Sequence, residues 1–168
     1  MGFQTSVNLY NPIGIPGTFA SIGPYHSVIA GAFQFVAGDA GLAIAAFAWG
    51  SLVDGKTTNA KPADTTNHSL GFVSRNSNIA VITQWQGQSS NLIPSGLEVT
   101  LHDRGDFYAV TKTAATVGQK IFASDTDGTI QTGAAGATVA GYTETPFSVT
   151  TPGQANSINQ DFSILRGR

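Results

Sequence analysis

Apolar and polar residues alternate along most of the chain in runs of strand length, and each run ends in a turn signal. "AFQFVA" gives way to "GDAG" and "LAIAAFAW" to "GSLVDG"; "SLGFVS" precedes "RNSN", and "IAVITQW" runs into the polar "QGQSSN". Further on, "GLEVTLH" and "DFYAVT" flank "DRG", "KIFAS" and "TIQT" flank "DTDG", and "TVAGYT", "FSVT" and "DFSILR" close the series. About ten short strands at this spacing predict an all-β fold, a jelly-roll-like β-sandwich or barrel. No window of a dozen residues holds the stripe of an amphipathic helix. The apolar stretch from Val28 to Trp49 is about long enough to span a bilayer, but Gln34 and Asp39 interrupt it and Gly31, Gly38 and Gly41 cut it into short pieces. It predicts two buried strands around a turn, not a membrane helix.

Two stretches depart from this rhythm. "NPIGIPGTFASIGPY" carries Pro12, Pro16 and Pro24 with interleaved glycines. Proline removes a donor and fixes φ, so residues 1–25 should run as an extended, irregular arm ahead of a single β domain over residues 26–168. The arm bears Phe3, Leu9, Tyr10, Ile13, Ile15 and Phe19, too apolar a set for a free tail. Such an arm either packs on its own domain or clasps another subunit. The second stretch, "DGKTTNAKPADTTNH" at residues 54–68, is long and polar and predicts a mobile, exposed loop.

Composition narrows the function. At 168 residues the chain can bury a core without staples. Only 11% of residues are charged, against about 25% in a typical soluble domain. So little charge points to a neutral surface or one covered by neighbours, which hints at assembly. A net charge of −2 argues against nucleic acid as the main partner, because phosphate binding needs clustered Lys and Arg. The absence of cysteine removes disulfides, thiolate metal sites and cysteine nucleophiles. "MGFQTS" lacks the pattern of a signal peptide; it fits a myristoylation pattern at Gly2 and Ser6, but no basic patch stands beside it.

Candidate chemistry is sparse. In "SDTDGTI", Asp125 and Asp127 stand two apart before a glycine, as acidic calcium loops begin. An EF-hand loop would place a glutamate six residues after that glycine, and Ala134 stands there instead. Alternation through Ile121 and Ala123, resuming at Ile130, predicts a tight hairpin in which Asp127-Gly128 supplies positive φ angles, and no metal site. His26, His68 and His102 are far apart. His102 beside Asp103 suggests a dyad, but Ser89 and Ser90 lack a nucleophile elbow, so a strand-end histidine is the reading. Glu98 and Glu144 are the only glutamates, and nothing marks them as a glycosidase pair. Arg104-Gly105-Asp106 reads as a turn before it reads as an adhesion motif. Asn67-His68-Ser69 is a glycosylation sequon, with meaning only in a secretory pathway. Trp49, Trp85, Phe107 and Tyr108 would make a stacking platform for sugars if exposed; lying on β runs, they predict packing.

In their order and spacing these segments resemble the structural cement proteins of tailed bacteriophages. The resemblance is carried by "FASIGPYHSVIAGAFQFVAGDAGLAIAAFAW", then "GFVSR", then "NLIPSGLEVTLHDRGDFYAV" with its "IPSG" and "GDFY" landmarks, and last "ATVGQKIFASDTDGTI". It covers most of the chain, from about Phe19 to Ile130, and rests on turn chemistry between strands. It implies a non-enzymatic protein without cofactor or catalytic residues. Such a protein binds the outer surface of the phage head, bridges neighbouring major capsid protein subunits and pairs with itself as a dimer or trimer. Neither nucleic acid nor membrane is an expected partner. The implied contact residues are the arm's Phe3, Leu9, Tyr10, Ile13, Ile15 and Phe19. The alternative is a carbohydrate-binding or phage fibre β-sandwich module; exposed rings at Trp49, Trp85 or Tyr108 would favour it, and buried ones the cement reading.

Overall fold

The computed structural model describes residues 14–76, 91–153 and the backbone of 163–167. Among them lie twelve strands and no helix: β1 (His26–Ser27), β2 (Val36–Ala37), β3 (Leu42–Ala43), β4 (Phe47–Ser51), β5 (Lys56–Thr58), β6 (His68–Val73), β7 (Leu92–Ile93), β8 (Leu101–Ala109), β9 (Lys120–Ser124), β10 (Ile130–Gly133), β11 (Tyr142–Val149) and β12 (Ser163–Gly167). The all-β expectation holds. One hydrogen-bonded order runs β10-β9-β11-β12-β8-β6-β4-β5-β2, with β1 also on β8, while β3 and β7 pair separately.

This order folds over at β8. Leu101 and His102 pair with β6, whereas Gly105 to Ala109 pair with β12. Between them Gly105 takes a φ of 130°, a conformation that side-chain-bearing residues rarely adopt. The strand thus passes from one half of the sandwich to the other at a bend, as corner strands do. Here the sequence reading is corrected: "DRG" was expected to reverse the chain between two strands, and instead lies inside one strand of nine residues. The reason is pairing along both sides. A strand with partners on each edge can absorb a glycine as a kink, and a Cβ at Gly105 would sit 3.1 Å from the Tyr25 Cβ and 3.0 Å from the Phe107 ring.

Period-two alternation places the core. Phe47, Trp49 and Phe72 of one half meet Phe107, Ile121, Ile130 and Phe147 of the other. Phe72 lies 4.8 Å from Phe107 and Phe47 lies 5.4 Å from Phe147, ring centroid to centroid. Each such ring contributes about 1.5–3 kcal/mol through burial. The alternate residues Ala48, Val73 and Leu101 join Phe35, Leu42, Ile44 and Ile93 in a second cluster on the opposite face. Gly50 must lack a side chain there, because a Cβ would come within 2.5 Å of the Phe35 ring.

Other segments divide differently from their pattern. "LAIAAFAW" splits at Ala45, where φ is 56°, so β3 goes to β7 and β4 to β5 and β6. "TVAGYT" and "FSVT" merge into β11, which carries an irregularity between Glu144 and Ser148; Pro146 lies within it and offers no donor. The 54–68 stretch is mostly exposed but is tied down rather than loose. It contributes β5, Asn59 Oδ1 accepts from the Ala43 amide at 2.7 Å, and the Lys61 amide donates to the Asp125 carbonyl at 2.8 Å. "IAVITQW" lies outside the described residues.

The Asp-Gly hairpin forms between β9 and β10, but through the five residues Asp125 to Thr129 rather than a two-residue turn. Ser124 donates its amide to the Thr129 carbonyl, and Gly128 donates to Ser124. Gly128 alone supplies the positive φ, at 67°. Asp127 instead accepts from both the amide and the hydroxyl of Thr129, which braces the loop from within.

Candidate interaction surface

Ile15-Pro16-Gly17-Thr18 is a turn whose chemistry is plain. Proline presets φ at the second position, Gly17 takes φ 86° at the third, and the Thr18 amide closes it on the Ile15 carbonyl at 3.0 Å. The chain then runs antiparallel along the second half of β8. Gly17 donates to the Tyr108 carbonyl, Tyr108 donates to Thr18, and Ala20 donates to Asp106, each at 2.8–3.0 Å. Phe19 bridges Phe107 between them. Further on, β1 pairs His26 with Arg104 and Ser27 with His102. Two carboxylates of β8 fasten this run: Asp106 accepts from the Ser21 hydroxyl at 2.7 Å, and Asp103 meets His26 Nδ1 at 2.7 Å. The described part of the arm therefore packs by its backbone on its own domain.

Its apolar side chains do not follow the backbone inward. Ile15, Phe19, Ile22, Tyr25, Ile29 and Phe33 are all exposed, six of the ten exposed large apolar residues among those described. Of the contact residues expected from sequence, Ile15 and Phe19 flank the Pro16-Gly17 turn; Phe3, Leu9, Tyr10 and Ile13 lie outside the described residues. Ile22, Tyr25, Ile29 and Phe33 were missed. The signal that would have found them is the distribution of charge: no Asp, Glu, Lys or Arg occurs before Asp39, so all eight basic and all ten acidic residues lie from there on.

Beneath Phe19 and Tyr25 sits His102, buried on β8. Its Nε2 lies 3.0 Å from Ser74 Oγ and its Nδ1 3.4 Å from Ser27 Oγ. Burial pulls its pKa below the usual histidine value, against smaller opposing effects of His26 and Asp103, which favours the neutral ring. Phe19 stands edge-on to it at 5.4 Å, and Tyr25 at 6.0 Å. Asp103 turns to His26 rather than to His102, so the adjacent pair makes no dyad.

The two aspartates of the β9–β10 hairpin are occupied structurally. Asp125 accepts from Thr143 Oγ1 at 2.6 Å and faces Lys61. Burial raises the Asp127 pKa, but Ser124, Thr129 and Lys112 outweigh it and hold the carboxyl at about 2. Among the described residues no three His, Asp or Glu side chains gather in a set that could hold a metal. An apolar hollow beside the turn, walled by Pro16, Ala45, Val110 and Ile130, has Arg75 bonded to Asn91 and Lys112 paired with Asp127 at its edges. Trp49 and Phe107 are buried, and Gly14 closes over the Tyr108 ring, where a Cβ would approach to 2.5 Å. Those rings form no exposed platform; Trp85 lies outside the described residues.

The family described as XM1 gp53 minor capsid protein matches residues 3–160. The chain belongs to that family. Membership makes it a phage capsid-associated structural protein, as the resemblance had implied. A solved structure with the same fold, from "The capsid of Myoviridae Phage XM1", superposes with a TM-score of 0.57 at 16% identity, covering 99% of this chain and 97% of that one. No curated protein matches the chain.

Proposed function

We propose that this minor capsid protein is a cement component. It binds the outer surface of the assembled phage head, bridges neighbouring major capsid protein subunits and acts as a homo-oligomer. The observation that carries the reading is the charge-free segment with its six exposed apolar residues. Interface centres are depleted of charge, and within this segment the exposed rings of Phe19 and Tyr25 lie 4.9 Å apart, centroid to centroid. Backbone pairing of residues 17–20 and 26–28 with β8 fixes the chain that carries Phe19, Ile22 and Tyr25, which lowers the entropy lost on docking. Several moderate contacts, repeated over a lattice, give avidity that no single contact has. Closed rings of two or three copies fit the symmetry that capsids offer. Burial of Trp49 works against the sugar-binding alternative.

The test is to heat packaged heads with and without the protein while following DNA release. Bound protein should raise the bursting temperature, and moderate salt should leave occupancy nearly unchanged, since screening acts on exposed charge pairs. Equal bursting temperatures would remove the cement role.

A further inference from the structure

One side chain in this surface has no structural reason to stand where it does. Ile22 is fully exposed, at 106%. Yet the loop that carries it is among the better fastened parts of the arm. On one side Ala20 donates to the Asp106 carbonyl, and the Ser21 hydroxyl donates to the Asp106 carboxylate. The Gly23 amide then donates back to Ser21 Oγ at 3.1 Å, closing a small serine turn around Ile22. On the other side Pro24 restricts the backbone and His26 is held by Asp103. Phe19 and Tyr25, with ring centroids 4.9 Å apart, close the base of the loop over His102.

We infer that this loop is a pre-formed plug: Ile22 seats in an apolar, uncharged pocket of a shell subunit, with Phe19 and Tyr25 as its collar. The inference rests on the capsid-binding reading above and names the residue at its centre. A mobile tail would lose conformational freedom for each residue that docked, whereas this loop has lost it already in folding. The surroundings have the layout of an interface centre. Apolar groups make up the loop itself, the neighbouring carboxylates of Asp103 and Asp106 are engaged by His26 and Ser21, and the exposed Arg104, paired with His26, borders it on β8. A lipid surface is disfavoured as occupant, because the segment carries no Lys or Arg to meet headgroups.

Binding isotherms of the full-length protein on empty expanded heads test this, read by cosedimentation, with thermal melting as the control. Ile22→Ala should raise Kd roughly ten- to a hundredfold, and Ile22→Asp should abolish saturable binding. Neither should move the melting temperature, because the side chain touches nothing within the fold. Ser21→Ala, which frees the loop but keeps Ile22, should weaken binding severalfold. If wild-type protein binds and Ile22→Ala binds equally well, the plug is wrong and the capsid-binding reading stands. If wild-type protein does not bind heads, both fail. If Ile22→Asp dissolves an oligomer while leaving head binding intact, the pocket belongs to a second copy, which also overturns the proposal.

Discussion

The stretch from Ile15 to Phe33 and the β9–β11 region use the same apolar side chains to opposite ends. In β9, β10 and β11, Ile121, Ile130 and Phe147 are at most 1% exposed. Along the arm and the segment after it, Ile15, Ile22, Ile29 and Phe33 stand between 50% and 106% exposed. The polar groups differ in the same sense. The β9–β11 region supplies its own fastening: Asp125 holds Thr143, Asp127 holds Thr129, and Glu144 accepts from the Gly136 amide. The arm carries no carboxylate, and borrows Asp103 and Asp106 from β8. A segment fixed by its backbone and by another strand's carboxylates keeps its own side chains free. Burial is the work of one region and presentation the work of the other.

The largest test of this contrast sets two phenylalanines against each other. Phe147→Ala should cost about 3–5 kcal/mol, as deletions of fully buried rings do, whereas Phe33→Ala should stay within about 0.5 kcal/mol. Urea midpoints of the two variants measure the difference, and equal losses would show Phe33 to be part of the core after all. A smaller effect sharpens the comparison at the seam between the regions. Gly105→Ala forces a side chain to φ 130° beside Tyr25 and Phe107, which should cost about 1–3 kcal/mol. Amide exchange should quicken at Gly17 and Ala20 while Ser124 in β9 keeps its protection; uniform loosening would deny that the arm is a separable layer.

The smallest effect lies in the hairpin. Asp127 sits half-exposed, so its pairing is screened, and Asp127→Ala should cost about 0.5 kcal/mol at neutral pH. Its folded pKa of about 2 lies below the ordinary 3.8. The carboxylate's stabilisation is therefore present above pH 3.8 and lost as pH falls towards 2. Melting temperatures of wild type and variant should converge over that range. A gap that persists at pH 2 would assign the loss to the loop backbone instead of the charge.

Local chemistry made part of the fold legible in advance. "KIFAS" and "TIQT" became β9 and β10 because turn residues and alternation agree there, and "SLGFVS" became β6 for the same reason. "DRG" misled because the same glycine serves a reversal or a kink, and only partners on both edges of β8 choose between them. "LAIAAFAW" misled because continuous apolarity does not show that its two ends belong to different sheets. At the surface, the apolar arm was visible through its prolines, but Ile22 and Tyr25 within it were not singled out, and Ile29 and Phe33 fell in the stretch predicted to form buried strands.

What the sequence determined by itself was the class of the fold and the poverty of charge before Asp39. These follow from local conformational preference and from composition, which need no knowledge of neighbours. Tertiary structure decided which apolar residues are core and which are offered outward. Phe107 and Phe19 are bridge partners on adjacent segments, yet Phe107 is fully buried and Phe19 is 41% exposed. The difference lies in what covers each ring. Phe107 is closed in by Phe72, Phe147 and Phe19 itself, whereas the outer side of Phe19 faces solvent on the last layer of the sandwich. Hydrophobicity states how strongly a side chain seeks cover; only the packing of distant strands states whether the chain has cover left to give.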